Sequence, residues 1–234
     1  MKINRYLTPA GAALAFALLF IGAASAAPVK RLYQDAKLPT QQLVEKQSFT
    51  NPVVAGTADV LSAHAGNTSA AAASASTFVA QPDVSRNLVV TPGGTTADVA
   101  ACVITISGTN FFGVSISDTF TFVNNQTQGV SGLKAFKTVT LVSFPANCED
   151  GGFAATWSVG FGEALGMKRC MDSPGHVLSS TVTSGGTQKF ESTRPTVGEG
   201  GTTDVSRNTA DFNGTMNGAN DFELFFYQNF LCFP

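Results

Sequence analysis

From Gln81 onward the chain is a succession of short runs rich in Val, Ile, Thr and Phe: Asn87–Thr91, Ala101–Gly108, Val114–Val123, Ala135–Phe144, Ala154–Phe161, Val177–Thr183, Gln188–Ser192 and Asp221–Tyr227. β-branched and aromatic side chains fit a pleated, half-buried surface, and a spacing of about ten residues between such runs marks a sandwich or barrel. Val103-Ile104-Thr105-Ile106 and Thr119-Phe120-Thr121-Phe122 flank Thr109-Asn110-Phe111-Phe112-Gly113, a turn segment carrying Asn and Gly. That arrangement predicts a hairpin with a loop of about four or five residues. Phe120 and Phe122 alternate with Thr119 and Thr121, which assigns one face to a core or an interface. The expected fold is therefore all-β, an antiparallel β-sandwich with an extended N-terminal arm. With 234 residues, the length allows one sandwich of roughly 150 residues plus that arm.

Three regions follow from this reading: 1–26, 27–80 and a β-sandwich domain over 81–234. Lys2 and Arg5 precede an apolar stretch from Ala10 to Ala24, and Ala24-Ser25-Ala26 supplies small residues at a cleavage position. A basic start, an apolar middle and small residues at the end are the marks of a secretory signal peptide. The apolar stretch is shorter than the roughly 20 residues of a spanning helix, so no stable membrane anchor is expected. Residues 27–50 gather Lys30, Arg31, Asp35, Lys37, Glu45 and Lys46 with little apolar periodicity. They read as an extended arm or a short helix around Gln41–Lys46. Ala58–Ala80 is dominated by Ala and Ser, as a linker or a small-residue strand packed closely on a neighbour would be. On this division the folded body persists when residues 1–46 are removed.

The four cysteines, Cys102, Cys148, Cys170 and Cys232, are even in number, which suits an exported chain stabilised by disulfides. Three pairings are open. A Cys148–Cys170 bridge would close a modest loop around a Gly-rich segment, and Cys102, in an apolar run, also reads as a small buried hydrophobe. No C-x-x-C spacing occurs, so zinc is not expected.

Only 13% of residues are charged, against about 25% in an ordinary soluble domain, and the formal net charge is −2. That balance excludes a basic footprint for nucleic acid. Chemistry is equally sparse. A Ser-His-Asp site needs a histidine, and only His64 and His176 are available, each in loop-like sequence. Neither G-x-S-x-G nor H-E-x-x-H occurs, and Gly160-Phe161-Gly162 lacks the continuation of a nucleotide-binding loop. Glu149-Asp150, beside Gly151-Gly152, reads as a solvated loop. No catalytic, cofactor-binding or metal-binding residue is assigned. One internal echo is present: Asp83-Val84-Ser85-Arg86-Asn87 recurs as Asp204-Val205-Ser206-Arg207-Asn208. Each copy reads first as a loop that leads into a strand; the alternative is that each Asp caps a turn while the Arg pairs with it.

Several segments, in order over about residues 48–227, resemble a family of tailed-bacteriophage virion proteins. Pro82-Asp83-Val84-Ser85-Arg86-Asn87 resembles that family's P-D-x-P-R-N approach to its first strand, with Ser85 where the family usually has Pro. Ile106-Ser107-Gly108-Thr109-Asn110-Phe111-Phe112-Gly113 is similar to its I-x-G-T-N-x-x-G hairpin, and Gly132-Leu133-Lys134-Ala135-Phe136-Lys137-Thr138-Val139 to its G-x-K-A-F-K-T-V strand. Val159–Gly166 resembles a V-G-x-G-x-x-L-G element, and Asn213-Gly214-Thr215 through Tyr227 the closing strand pair. The resemblance implies a non-enzymatic structural protein of the phage particle that decorates or stabilises the capsid surface. Its partners would be the major capsid protein or another virion protein, together with further copies of itself as a homo-oligomer, and it would use no cofactor. The signal-like start and the even cysteine count support a second expectation, a secreted or periplasmic β-sandwich binding module.

Overall fold

A computed structural model describes residues 44–65, 73–150, 155–169, 177–191, 196–198 and 207–227. The segment 1–43 and the cysteines Cys170 and Cys232 lie outside the described residues, as do His176 and Asp204–Ser206 of the second sequence echo. Within the described residues the fold is all-β, and every strand pair is antiparallel.

Three sheets form. The first has the order β1 (Val44–Phe49), β14 (Asp221–Tyr227), β10 (Val177–Ser184), β11 (Thr187–Phe190). The second runs β12 (Thr196–Gly198), β13 (Thr209–Asp211), β9 (Ala155–Gly166), β4 (Arg86–Gly94), β7 (Val130–Ser131), with β2 (Leu61–Ala65) also paired to β9. The third is β3 (Ala73–Ala75), β8 (Thr138–Phe144), β5 (Cys102–Thr109), β6 (Ser115–Phe122). The expected hairpin is present: Thr109 of β5 faces Ser115 of β6 across the loop 110–114. The alternation also holds, with Phe120 and Phe122 buried and Thr119 and Thr121 exposed.

The body begins earlier than residue 81. It spans Leu43–Pro234, and three strands lie in the region expected to be arm and Ala/Ser-rich segment. Val44–Phe49 is not a helix. It pairs over its full length with β14, because Gln47 turns inward and satisfies the end of β9, donating through Nε2 to the Gly166 carbonyl and accepting the Lys168 N–H through Oε1. A deletion through residue 46 therefore cuts into β1. Ala73–Ala75 is the small-residue strand alternative, zipped to β8.

Two apolar cores lie on the long strand β9. The first packs Ile104, Ile106, Phe120, Phe122, Val142 and Phe144 of the third sheet against Leu88, Val90, Trp157 and Val159 of the second. The second packs Phe49, Val177, Phe222, Leu224 and Phe226 of the first sheet against Leu165, Met167, Ala210 and Phe212. Each buried aromatic or aliphatic side chain of this kind stabilises by roughly 1.5–3 kcal/mol.

Between the cores sits Arg86, with no exposed surface. Its Nε donates to the Gly162 carbonyl at 2.8 Å, and one terminal nitrogen donates to the Val53 carbonyl at 2.9 Å and to Asp83 Oδ1 at 3.2 Å. The other terminal nitrogen reaches Met216 Sδ at 3.3 Å, and the guanidinium stacks 5.2 Å from the centroid of Phe161. Burial pulls the guanidinium down from its ordinary range, and the Asp83 carboxylate opposes that. The alternative reading of the first DVSRN copy, an Asp–Arg pair, is thus present, with the Arg86 side buried. The backbone of Arg86 exchanges a reciprocal pair of hydrogen bonds with Phe136. Of the second copy only Arg207 and Asn208, just ahead of β13, are among the described residues; Arg86 of β4 and Ala210 of β13 flank Leu165 of β9 on its two edges.

Breaking a buried pair by removing one partner costs about 3–5 kcal/mol. Arg86→Met is expected to lose stability of that order. Arg86→Lys should also lose stability, because an ammonium cannot reproduce the planar fork of donors. Urea unfolding midpoints check both, and a lysine variant as stable as the parent would contradict the assigned geometry.

Candidate functional site

Three features of the surface offer themselves: a cleft, a hairpin tip and a sheet face. The cleft follows from the pairing of β9. One of its edges is taken by β4 from end to end, while the other is shared by β2, up to Val159, and β13, from Ala164. In the gap between them the segment 55–59 closes in. Gly160 permits this, since a Cβ there would fall 1.7 Å from the Gly56 carbonyl oxygen. Asp59 Oδ2 then accepts the Phe161 N–H at 3.1 Å in place of a strand partner. A cleft of about 420 Å³ remains, walled by Gly56, Thr57, Asn87, Phe161, Glu163 and Asp211. Asn87 is held rigidly: its Nδ2 donates to the Gly132 carbonyl and its Oδ1 accepts the Ala164 N–H. Gly160-Phe161-Gly162 is accordingly a close-packing element inside a strand.

Asp211 has its carboxyl pushed above the usual carboxylate range, first by burial and then by the negative charges of Glu163 and Glu191. The cleft thus brings two acids, Glu163 and Asp211, to one wall. Among the described residues its lining has no histidine, cysteine, lysine or arginine. Sequence reasoning nominated neither acid, because only strand register brings Glu163 beside a residue 48 positions later.

The hairpin tip is built by Asn110, whose Oδ1 accepts the N–H groups of Phe112 at 2.9 Å and Val114 at 3.0 Å. Gly113, at φ +77°, supplies the left-handed step that closes the turn. Phe111 and Phe112 meet edge to face at 5.3 Å, both partly exposed, and Lys168 Nζ lies 5.0 Å from the Phe111 centroid.

Among the described residues the third sheet presents an outward face without a single ionisable side chain. On β5 it carries Val103, Thr105, Ser107 and Thr109, and on β6 Ser115, Ser117, Thr119 and Thr121, in direct cross-strand register. The one carboxylate on β6, Asp118, points the other way and accepts the N–H groups of Leu133 and Lys134.

The cysteine expectations resolve in part. Cys102 and Cys148 are joined, tying β5 to the loop after β8, so Cys102 is not a lone hydrophobe and Cys148 does not pair with Cys170. Proximity across the first core decides this, since both are buried there. Glu149, read as solvated, is buried: its Oε1 accepts the Ala155 N–H, and its backbone bridges to Val99. His64 lies on β2, stacked on Phe144 with centroids 4.7 Å apart, and its Nδ1 is 2.9 Å from the Ala65 carbonyl oxygen. Among the described residues no group of three or more His, Cys, Asp or Glu could hold a metal ion. Among them no helix is long and apolar enough to cross a membrane.

Comparison with protein-family models, with curated proteins and with solved structures gives no match for this chain.

Two outcomes follow. The Cys102–Cys148 link spans 46 positions, and chain-entropy reasoning gives it about 4 kcal/mol. Cys102→Ala/Cys148→Ala should therefore unfold at markedly lower denaturant, and an unchanged midpoint would show that the bridge constrains nothing. Asp211 titrates higher in the folded chain than in the unfolded chain, so the folded state holds its proton more tightly. Its contribution to stability is fully present below the unfolded value and is lost as pH rises through the folded value. Asp211→Asn should match the parent in acid and exceed it near neutral pH, as thermal unfolding across pH 3–8 would show.

Proposed function

We propose that the chain is a non-enzymatic structural protein of a bacteriophage particle. It decorates or stabilises the capsid surface by docking on a major capsid protein or another virion protein. The observation that carries this reading is the outward face of the third sheet, where Thr, Ser and Val stand in register over β5 and β6 with no ionisable group. Charged side chains are costly to strip of water, whereas hydroxyls and methyls are covered at small cost and remain able to hydrogen-bond across an interface. Such a face is suited to being covered by protein. The segments that carry the virion resemblance also interlock: Arg86 and Asn87 of the first motif bond Gly162 and Ala164 of another and Gly132 and Phe136 of a third. They behave as one fold-determining pattern.

A second reading, an exported β-sandwich binding module, is favoured by the Cys102–Cys148 disulfide, since such bridges persist in oxidising compartments.

Density-gradient fractionation of lysates from the native source separates the two. The virion reading expects the chain to co-band with particles in fixed ratio to the capsid protein. It also expects Thr119→Glu, a charge set on the uncharged face, to fold normally and to lower the particle-bound fraction by about tenfold or more. Recovery solely in the periplasmic or secreted fraction would contradict it and favour the second reading.

A further inference from the structure

Beneath the hairpin tip lies a small pocket lined by residues that include Ser85, Asn110, Phe111, Ala135, Gly166 and Asn208. Its volume, about 10 Å³, is that of one water-sized sphere. Ser85 is 95% buried, and its Oγ has no hydrogen-bond partner among the protein groups. An unsatisfied buried hydroxyl costs about as much as a lost hydrogen bond, so native chains rarely leave one.

We infer that this cavity is a binding site for a single water molecule, held by Ser85 Oγ and the Asn110 side-chain amide. The donor and acceptor inventory fits. Asn110 Oδ1 is occupied by the Phe112 and Val114 amides, which leaves its NH₂ group to donate. The Ser85 hydroxyl both donates and accepts, and Asn208 brings a third polar residue to the wall. A buried water makes two to four such bonds. The walls do not yield easily. A Cβ at Gly166 would lie 2.6 Å from both Ser85 Oγ and Ala135 Cβ, so the cavity is closed on that side by backbone that admits only glycine. The bound water ties two separate parts of the chain: the approach to β4 at Ser85 and the hairpin tip at Asn110. It thereby fixes how Phe111 and Phe112 are presented. This inference stands apart from the virion reading and does not depend on it.

Two measurements on the full chain decide it. A crystal structure at about 1.5 Å resolution should show a single ordered water within hydrogen-bond distance of Ser85 Oγ and Asn110 Nδ2. In parallel, the sign of the Ser85→Ala effect is diagnostic. If the hydroxyl is bonded to water, its removal takes away a partner and the melting temperature falls by roughly 2–4 °C. If the hydroxyl is an orphan, its removal relieves a penalty and the melting temperature rises. Absence of the water peak, a Ser85 Oγ rotated onto a protein acceptor, or an unchanged or raised melting temperature in Ser85→Ala would each overturn the proposal.

Discussion

A guanidinium with no exposed surface is a demanding object to place in a protein. Leaving water costs several kcal/mol per ion, and the group must recover that through partners at each of its nitrogens. Arg86 meets the demand by drawing on distant parts of the chain: Val53 before the body of the second sheet, Asp83 in its own turn, Gly162 in the middle of β9 and Met216 ahead of β14. Each contact fixes a loop or strand that would otherwise be free to shift. Phe161 of the first core takes the flat face of the guanidinium, and Met216 of the second core takes an edge. The two apolar cores are thus connected through one polar residue, and the long strand β9 carries both because its register is pinned at Gly162 and Leu165.

The cleft and the surfaces are consequences of that arrangement. Asn87, next to Arg86, holds Gly132 and Ala164, and so positions one wall of the cleft. Gly132 itself is a close-packing site, since a Cβ there would lie 2.7 Å from Asp118 Oδ2 and 2.8 Å from the Phe120 ring. The segment that follows donates Leu133 and Lys134 N–H groups to the same carboxylate, turning the only charge on β6 inward. An inward-pointing charge blunts an edge strand against indiscriminate pairing. The outer face is left free of charge, while the strand edge is partly protected.

Much of the strand pattern was legible in the sequence, because β-branched and aromatic alternation is a local signal. The hairpin around Asn110, the inward Phe120 and Phe122, and the Asp83–Arg86 pairing all rest on residues a few positions apart. The parts that escaped rest on long-range satisfaction. Val44–Phe49 looks helical or extended by composition and becomes a strand because Gln47 is completed by Gly166 and Lys168, more than a hundred residues away. Ala73–Ala75 has no large side chain to announce it, and its strand state is imposed by β8. The Cys102–Cys148 link and the approach of Glu163 to Asp211 are set by which strands meet, which spacing alone does not encode. The uncharged sheet face lay in plain view as alternate Thr and Ser over 103–109 and 115–121, but it becomes a surface only once the register of β5 on β6 is known.

The central claim is that the buried Arg86 makes the two cores one cooperative unit. Native-state hydrogen exchange of the unmodified chain in low urea tests it most directly. The account predicts that the amides of Arg86, Phe136 and Gly166, which bridge strands and loops at the junction, exchange with the same opening free energy as the amides of Ile106 in the first core and Leu224 in the second. A first core that keeps full protection while the junction and second core open at a distinctly lower free energy would contradict it.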